Sequence, residues 1–384
     1  MKTIFLAVFI CLFQNSSCFL PPKFQWKVID FTWANQSRKA AIDSGLYVAE
    51  NNMPTGLARW REKVFVTIPR WKRGVPSSLN YIYVNGSQQQ PLNPYPSWAD
   101  AVLSDKDGGI SSNSTVVSTF RVHADRCDRL WVVDNGVTDM SRKNCSDAFA
   151  YIPDMGSNAI IVYSLRTNEA WRVDHHYFHF DPHAGTYKVG GVHFYWSDGV
   201  SSVALSQTRK DGYRDLYFHP TSSTKQFKMS TKLLKNKNVP SEDIFNGVVV
   251  VGDRGANSQA TACDFDHQSK ILFYTQLCKN GVGCWNTEKL FTAENNPVII
   301  SDCNLLEFPN DVKVDQEGNI WILSNRQSRF LYESMDFDQV NFRILTAPVS
   351  AVVQGTPCER TTVFGKALSF VKRNKSGSKQ SLTN

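Results

Sequence analysis

A strand–turn–strand pattern in residues 308–325 constrains the fold of this chain more than any other feature. Val312 and Val314 alternate with polar neighbours, residues 316–319 have turn-forming side chains, and an apolar run with β-branched residues and a tryptophan follows. Alternation with a period of two, followed by a turn and a second apolar run, is typical of a β-hairpin. The segment is therefore predicted to form two antiparallel strands.

A second copy of this pattern lies in residues 122–135. Asp125 and Trp131 in that copy have the same spacing as Asp315 and Trp321 in the later one, and weaker copies occur elsewhere. Strand pairs that recur at irregular intervals, with long loops between them, are typical of four-stranded blades arranged around a channel. The sequence therefore predicts an all-β propeller in which each blade is stabilised mainly by its neighbours.

The bulk composition is compatible with one large all-β domain. With 384 residues, of which 42% are hydrophobic and 12% aromatic, the chain can bury a large core. Two ordinary domains would also fit this length, but the recurring hairpins favour one. We assign residues 19–365 to the propeller.

Residues 1–18 have the features of a secretory signal peptide. Lys2 precedes an apolar run, and small or polar residues precede a predicted cleavage site near Cys18. The run is shorter than the roughly 20 apolar residues that a membrane span requires, and no later stretch reaches that length. The mature protein is therefore expected to be secreted, extracellular and without a membrane span.

Residues 366–384 form a basic tail that carries much of the formal net charge of +7. Its basic side chains lie among Ser, Gly and Asn, a composition that favours a solvated, disordered segment over a polyanion-binding patch. Nucleic acid is not an expected partner, because the chain is predicted to be secreted.

Because the protein is expected to be secreted, its cysteines can form disulfides and its asparagine sequons can be glycosylated. Seven cysteines remain after the signal peptide, an odd number that predicts disulfides plus at least one free or intermolecular thiol. Their spacing alone does not determine the pairing. Sequons predict N-glycosylation at Asn35, Asn85, Asn113, Asn144 and Asn374.

Six short segments together carry a family resemblance. They are residues 64–81, 128–134, 211–218, 282–285, 311–315 and 341–347, and they include Leu-Trp-Val-Val-Asp and Val-Gly-Cys-Trp. From about Phe24 to Glu359 the chain resembles the insect yellow and major royal jelly protein family, and within it the yellow branch.

This resemblance implies a secreted, six-bladed β-propeller without a cofactor. In different members it implies a role in cuticle pigmentation, in dopachrome isomerisation or in the capture of biogenic amines. It also implies two disulfides, which join Cys127 to Cys145 and Cys284 to Cys358 and leave three further cysteines.

One segment departs from the family pattern. Relatives carry about 40 to 50 residues, roughly one blade, between the strand that ends here at Asp134 and the Asn144-Cys145 motif. Only residues 135–143 lie between them in this chain, so strands have been lost, or the sequence is a splice form or an incomplete gene model. A ring cannot lose a blade without closing again. We therefore expect six blades, or a ring in which one blade is shortened or missing after Asn135.

The centre of the channel is the expected binding pocket, because loops from all blades converge there. The resemblance implies ligand contacts at Asn310 and Asn325, with Gln327 in place of an apolar or aromatic neighbour. The two amides can accept a hydrogen bond from an ammonium or donate one to a catechol oxygen, although both could instead cap turns. Asp311 is a candidate counter-ion for a cationic ligand or a structural carboxylate.

No catalytic residue is assigned from the sequence, and no metal site is predicted. His193, His219 and Asp311 are candidate acids or bases for moving a proton from carbon to oxygen. A metal site on the histidines at positions 175, 179 and 183 would need a helix, because a spacing of four converges there and not on a strand. The aromatic and proline residues between them favour strand and turn.

The resemblance thus implies a secreted glycoprotein of the insect melanin and catecholamine pathway, with a role in pigmentation or cuticle. Dopachrome isomerisation, a tautomerase reaction, is the candidate activity. The alternative is a non-catalytic protein that binds serotonin or dopamine, with Trp131, Trp321 or Phe308 as candidates for cation–π contacts or for blade packing. A structural cuticle protein and a calcium-dependent, lactonase-like propeller are further alternatives.

Overall fold

The chain folds into antiparallel sheets arranged as a propeller in the computed structural model, which describes residues 20–33, 37–101, 116–134 and 148–360. Its complete blades are four-stranded: β2 (Gly56–Trp60), β3 (Lys63–Thr67), β4 (Leu79–Tyr83) and β5 (Asn93–Pro94) form the first. The third contains β13 (Val200–Leu205), β14 (Asp215–Pro220), β15 (Lys225–Ser230) and β16 (Val248–Asp253), and the fourth β17 (Cys263–Asp266), β18 (Ile271–Gln276), β19 (Gly281–Asn286) and β20 (Val298–Ser301). The fifth contains β21 (Pro309–Val314), β22 (Asn319–Asn325), β23 (Phe342–Pro348) and the N-terminal strand β1 (Pro22–Trp26).

The sector between the first and third blades is built from two incomplete sheets. One has two strands, β6 (Thr119–Ala124) and β7 (Leu130–Asp134), and the other has three, β8 (Phe149–Asp154), β9 (Ala159–Ser164) and β10 (Glu169–Asp174). β6 packs beside β2 and β8 packs beside β13, so the two sheets together fill one sector. A separate hairpin, β11 (Thr186–Val189) and β12 (Val192–Tyr195), belongs to no blade.

The arrangement has five blades, so the expectation of six is wrong. The physical reason lies in the two sheets that flank residues 135–147, a segment outside the described residues. The sheet before this segment stops after two strands and the sheet after it has three, and neither becomes a four-stranded blade of its own. The expected shortening after Asn135 therefore coincides with the incomplete sector.

The helices of the described chain are short and connect or flank the strands. They are α1 (Ser37–Asp43), α2 (Trp98–Ala101), α3 (Thr231–Leu234), α4 (Ser241–Asn246), α5 (Gln327–Tyr332) and α6 (Val349–Val353), with 3-10 turns at Ala49–Asn51, His176–Phe178, Pro182–Ala184 and Leu277–Lys279. None of the helices in this part of the chain is long and apolar enough to cross a membrane.

The N-terminal strand completes the last blade. β1 pairs antiparallel with β23, with Trp26 opposite Phe342 and Phe24 opposite Ile344. Both phenylalanines are almost fully buried, and they pack in a cluster that also contains Leu57 of the first blade. The two ends of the propeller domain therefore share one sheet and one core.

The hairpins predicted from the Asp–Trp spacing are confirmed, and their geometry explains the spacing. The carboxylate of Asp315 accepts hydrogen bonds from the backbone N–H groups of Glu317 (3.0 Å) and Asn319 (2.8 Å) and from the indole N–H of Trp321 (2.8 Å). One carboxylate thus caps the β21–β22 turn and anchors the aromatic ring on the following strand.

The earlier copy repeats this arrangement. Asp125 accepts from the backbone N–H groups of Cys127 (2.8 Å) and Arg129 (3.0 Å) and from the indole N–H of Trp131 (2.6 Å). In the weaker copy Asp266 still caps its turn, because it accepts from the N–H groups of Gln268 (3.1 Å) and Ser269 (3.0 Å). The repeated sequence pattern is therefore a repeated hydrogen-bonding unit.

A disulfide joins Cys284 of β19 to Cys358 beyond α6, which is the pair that the resemblance implies. Cys127 is also disulfide-bonded, and its expected partner Cys145 lies outside the described residues. Cys263 and Cys278 are free thiols. Of the predicted glycosylation sites, Asn85 is exposed in the turn after β4, and the other four lie outside the described residues, as do the signal peptide and the basic tail.

Replacing Asp315 by asparagine should lower stability at neutral pH and have little effect in acid. Burial would raise the pKa of Asp315, but hydrogen bonds from Asn319, Trp321 and Arg59 outweigh it and leave the pKa below its ordinary value. The stabilisation by the charged form is present above the unfolded pKa of about 4 and is lost as the pH falls through the lower folded pKa. Urea unfolding of Asp315→Asn and wild type at pH 7 and at pH 3 tests this, with exposed Asp43→Asn as control. An equal difference at both pH values would contradict it.

Removing the disulfide between Cys284 and Cys358 should lower the free energy of unfolding by about 2 to 5 kcal/mol, because the bond closes a long loop. The two residues are 74 positions apart. Chemical denaturation of the Cys284→Ala/Cys358→Ala double variant measures the loss. Cys278→Ala, which removes a free thiol outside this disulfide, is the matched control and should unfold close to the wild type.

Candidate functional site

A cavity of about 210 Å³ opens at one end of the channel and is the candidate site. Side chains from several blades and from α5 converge on it. Its lining consists of Trp71, Phe120, Arg121, Met155, Trp196, Asp198, Ser201, Thr221, Thr261, Asn310, Gln327 and Leu331. Ligand pockets for drug-sized molecules are commonly about 300 to 1,000 Å³, so this cavity suits a small ligand.

Arg121 of β6 occupies the centre of the ring and binds backbone groups from three blades. Its Nη1 donates to the carbonyl oxygen of Thr55 (2.6 Å), which precedes β2. Its Nη2 donates to the carbonyl oxygens of Thr261 (3.4 Å), near β17, and of Asn310 (3.2 Å). The Asp311 carboxylate lies 3.5 Å from Nη1. Arg121 is therefore a cross-link between blades as well as part of the cavity wall.

Asn310 and Gln327, two of the predicted ligand-binding residues, lie together in the cavity wall. The Oδ1 of Asn310 accepts from Nη1 of Arg121 (3.2 Å), and its Nδ2 donates to Oε1 of Gln327. Because a guanidinium can only donate, this chain fixes the orientation of both amides. The Nε2 of Gln327 makes no hydrogen bond within the described residues and is left as a donor for the cavity.

Asp311 and Asn325, the other two predicted ligand-binding residues, are fully buried and do not line the cavity. Asp311 accepts from the N–H groups of Leu57 (3.1 Å) and Val312 (3.0 Å). Asn325 donates from Nδ2 to the carbonyl oxygen of Pro54 (2.7 Å). Both join the fifth blade to the first, and a direct ligand contact by either stays a prediction.

Asp198, which sequence reasoning did not single out, contributes a carboxylate to the cavity. It lies between β12 and β13, is half-buried, and has no ion pair or side-chain hydrogen bond with any described residue. Burial raises its pKa above the ordinary value for an aspartate. No local pattern marks Trp196 to Gly199 in the sequence, so only the fold identifies this carboxylate as a cavity group.

Aromatic rings form much of the remaining wall. The ring centroids of Trp71 and Phe120 are 5.9 Å apart, and the guanidinium of Arg121 lies 4.9 Å from the Phe120 ring. Trp71 is 43% exposed, so its ring is available at the mouth of the cavity. Flat apolar surfaces of this kind can stack on an aromatic ligand or hold a cation.

The β11–β12 hairpin and α5 pack together beside the cavity mouth. The Trp196 indole N–H donates to the Tyr332 hydroxyl, and the rings of Phe194 and Tyr332 stack at 5.2 Å. Nη2 of Arg329 donates to the carbonyl oxygen of Gly190 (2.6 Å) at the hairpin turn. These contacts hold Trp196 against the cavity, and they also position the adjoining segment that carries Asp198.

The candidate histidines do not line this cavity. His219 on β14 is fully buried, and burial together with the nearby Arg254 charge holds its pKa well below the ordinary value. His193 is exposed on β12. His175 accepts a hydrogen bond from the backbone N–H of Tyr177 (3.0 Å). Within the described residues no group of three or more histidine, cysteine, aspartate or glutamate residues could hold a metal.

The three aromatic candidates for cation–π contact pack within the fold. The indole groups of Trp131 and Trp321 donate to the turn aspartates, and Phe308 is fully buried beside Trp196 at 6.0 Å between ring centroids. None of the three lines the cavity. The aromatic wall is formed instead by Trp71, Phe120 and Trp196.

Comparison with known proteins gives two kinds of match. The family described as Major royal jelly protein matches residues 117–143 and 137–358, in two pieces that meet near the shortened segment. L-dopachrome tautomerase yellow-f of Drosophila melanogaster is 31% identical over 88% of this chain and 93% of its own length. Protein yellow of the same species is 32% identical over 90% and 72%, and its dopaminechrome tautomerase is 32% identical over 87% and 83%.

The alignment lengths also bear on the shortened segment. The alignment with protein yellow has 397 positions, although the whole chain has only 384 residues. The relative therefore carries residues that this chain lacks.

The family match covers more than half of the chain, and the relatives are more than 30% identical over most of it. The chain therefore belongs to the yellow and major royal jelly protein family.

Proposed function

We propose that this chain is a secreted protein of the insect melanin and catecholamine pathway that tautomerises a small catechol-derived quinone in the channel-end cavity. The observation that carries the proposal is the half-buried carboxylate of Asp198, which has no ion pair among the described residues and lies in a small, aromatic-lined cavity. The names of two relatives, L-dopachrome tautomerase and dopaminechrome tautomerase, support the reaction class.

The chemistry requires protons to move from ring carbons to quinone oxygens, with no net oxidation or reduction. A base must accept a proton from carbon, and a donor must stabilise the oxygen on which negative charge develops. Asp198 is the base, since it carries no ion pair within the described residues and burial raises its pKa above the ordinary value for an aspartate. Nε2 of Gln327 is the donor, since Arg121 and Asn310 fix its orientation.

A non-catalytic function, the capture of a biogenic amine, is the second candidate. The same carboxylate would pair with an ammonium group, and the Trp71 and Phe120 rings would add cation–π attraction. Turnover distinguishes the two functions, because an amine-binding protein gives saturable binding of dopamine or serotonin without a faster loss of the quinone. The proposed secretion is supported by the signal-like N-terminus and by the exposed sequon at Asn85.

Asp198→Asn should lower kcat for aminochrome tautomerisation by about 10²-fold or more, the usual contribution of a general base. Absorbance loss of the quinone, corrected for the spontaneous rate, measures this on purified protein. The wild-type rate should rise with pH as Asp198 ionises, and the variant should lose that part of the profile. Exposed Asp43→Asn is the matched control and should keep wild-type activity. Because Asp198 carries no ion pair within the described part of the chain, the thermal midpoint of Asp198→Asn should stay near that of the wild type. Full activity in Asp198→Asn would overturn the assignment.

A further inference from the structure

We propose that the cavity selects ligands without a carboxylate group, so that a decarboxylated aminochrome or dihydroxyindole binds better than its carboxylated counterpart. This inference rests on the proposed use of the cavity for catechol-derived quinones, and it names the class of substrate. The relatives act on both kinds of molecule by name, so similarity alone does not choose between them.

A ligand in the cavity would meet few charged side chains. Among the described residues of the lining, only Arg121 and Asp198 carry ionisable side chains. The rest of the described wall consists of aromatic, aliphatic, hydroxyl and amide groups. A ligand carboxylate would therefore depend on Arg121 for a counter-charge.

Arg121 is already engaged. Its two terminal nitrogens donate to the carbonyl oxygens of Thr55 and Thr261 and to both oxygens of Asn310. Each terminal nitrogen has two hydrogens, so these four contacts use all of them. A carboxylate usually binds arginine through two parallel hydrogen bonds, and that arrangement would require existing contacts between blades to break.

Arg121 also has a counter-ion within the protein, which it shares with Lys313. The fully buried carboxylate of Asp311 lies 3.5 Å from Nη1, and it accepts two backbone hydrogen bonds that keep it in place. Lys313, 3.6 Å from the same carboxylate, is outside the cavity lining. Of the two charged side chains among the described lining residues, Asp198 is therefore the one without an ion pair to another described residue.

A second carboxylate in this small space would face Asp198 without a free cation among the described lining residues. Two carboxylates that share a partly buried site repel each other, and one of them must take up a proton or leave. A neutral bicyclic ring avoids this cost, and it can stack on Trp71 and accept a hydrogen bond from Gln327. The donor from Gln327 is suited to a quinone or phenol oxygen rather than to a full negative charge.

The test compares two ligands that differ only in a carboxylate, 5,6-dihydroxyindole and 5,6-dihydroxyindole-2-carboxylate. Their dissociation constants are measured by calorimetry at pH 7 under anaerobic conditions on the full secreted protein. We expect wild type to bind the neutral indole at least about tenfold more tightly, which corresponds to about 1.4 kcal/mol. Equal or tighter binding of the carboxylate by wild type, or binding of neither indole, would overturn the proposal.

Two variants show whether charge causes the preference. Asp198→Asn should reduce the ratio between the two dissociation constants, because the carboxylated indole should bind more tightly to this variant. Leu331→Arg places a cation at the cavity wall and leaves Asp198 in place. It should also reduce the ratio between the two dissociation constants by improving the binding of the carboxylated indole. Leu290→Arg makes the same substitution at an 81% exposed position outside the cavity lining and should leave the preference unchanged. A preference that persists in both cavity variants would contradict a charge-based mechanism.

The outcome is separable from that of the proposed reaction. A binding preference without turnover would reject the tautomerase and leave the ligand class in place. Turnover of carboxylated and decarboxylated aminochromes with equal kcat/KM, together with equal binding, would support the tautomerase and reject the ligand class.

Discussion

The guanidinium of Arg121 links three blades at the centre of the ring, and the arrangement of the candidate site depends on these contacts. It is held between the start of the first blade, the start of the fourth and the innermost strand of the fifth, with the buried Asp311 as its counter-ion. Burying a charge costs less when it is paired and hydrogen-bonded, and Arg121 has the Asp311 carboxylate as its counter-ion and hydrogen bonds from both terminal nitrogens. Because these contacts occupy its terminal nitrogens, Arg121 is not available to bind an anionic ligand. They also fix the orientation of the Asn310 and Gln327 amides.

The blade units of this fold could be predicted because their causes are local. An aspartate that caps a turn and accepts an indole N–H six residues later leaves a spacing that is visible in the sequence, as at Asp315 and Trp321. The number of blades could not be predicted in the same way. It depends on how the sheets on either side of residues 135–147 share one sector, which is a property of ring closure and not of any single segment.

The site was predictable in part, for a similar reason. Asn310 and Gln327 lie on a hairpin and helix whose family pattern is recognisable, and the structure brings them together in the cavity wall. Asp311 and Asn325 come from the same pattern, but their side chains join blades and do not line the cavity. Asp198 had no sequence signal, because its chemistry arises from partial burial and the absence of an ion pair within the described chain. Those properties depend on segments distant from it in sequence.

The pairing of β1 with β23 also governs the order in which this protein can fold. Residues 22–26 are synthesised first, yet their partner strand spans Phe342–Pro348, so the last blade cannot form until nearly the whole domain has emerged. Contacts between segments this distant in sequence are slow to form, and the apolar face of β1 has no partner strand until β23 has emerged. Completion of the last blade is therefore a late event, which depends on the first strand of the domain staying available until the last one has been made.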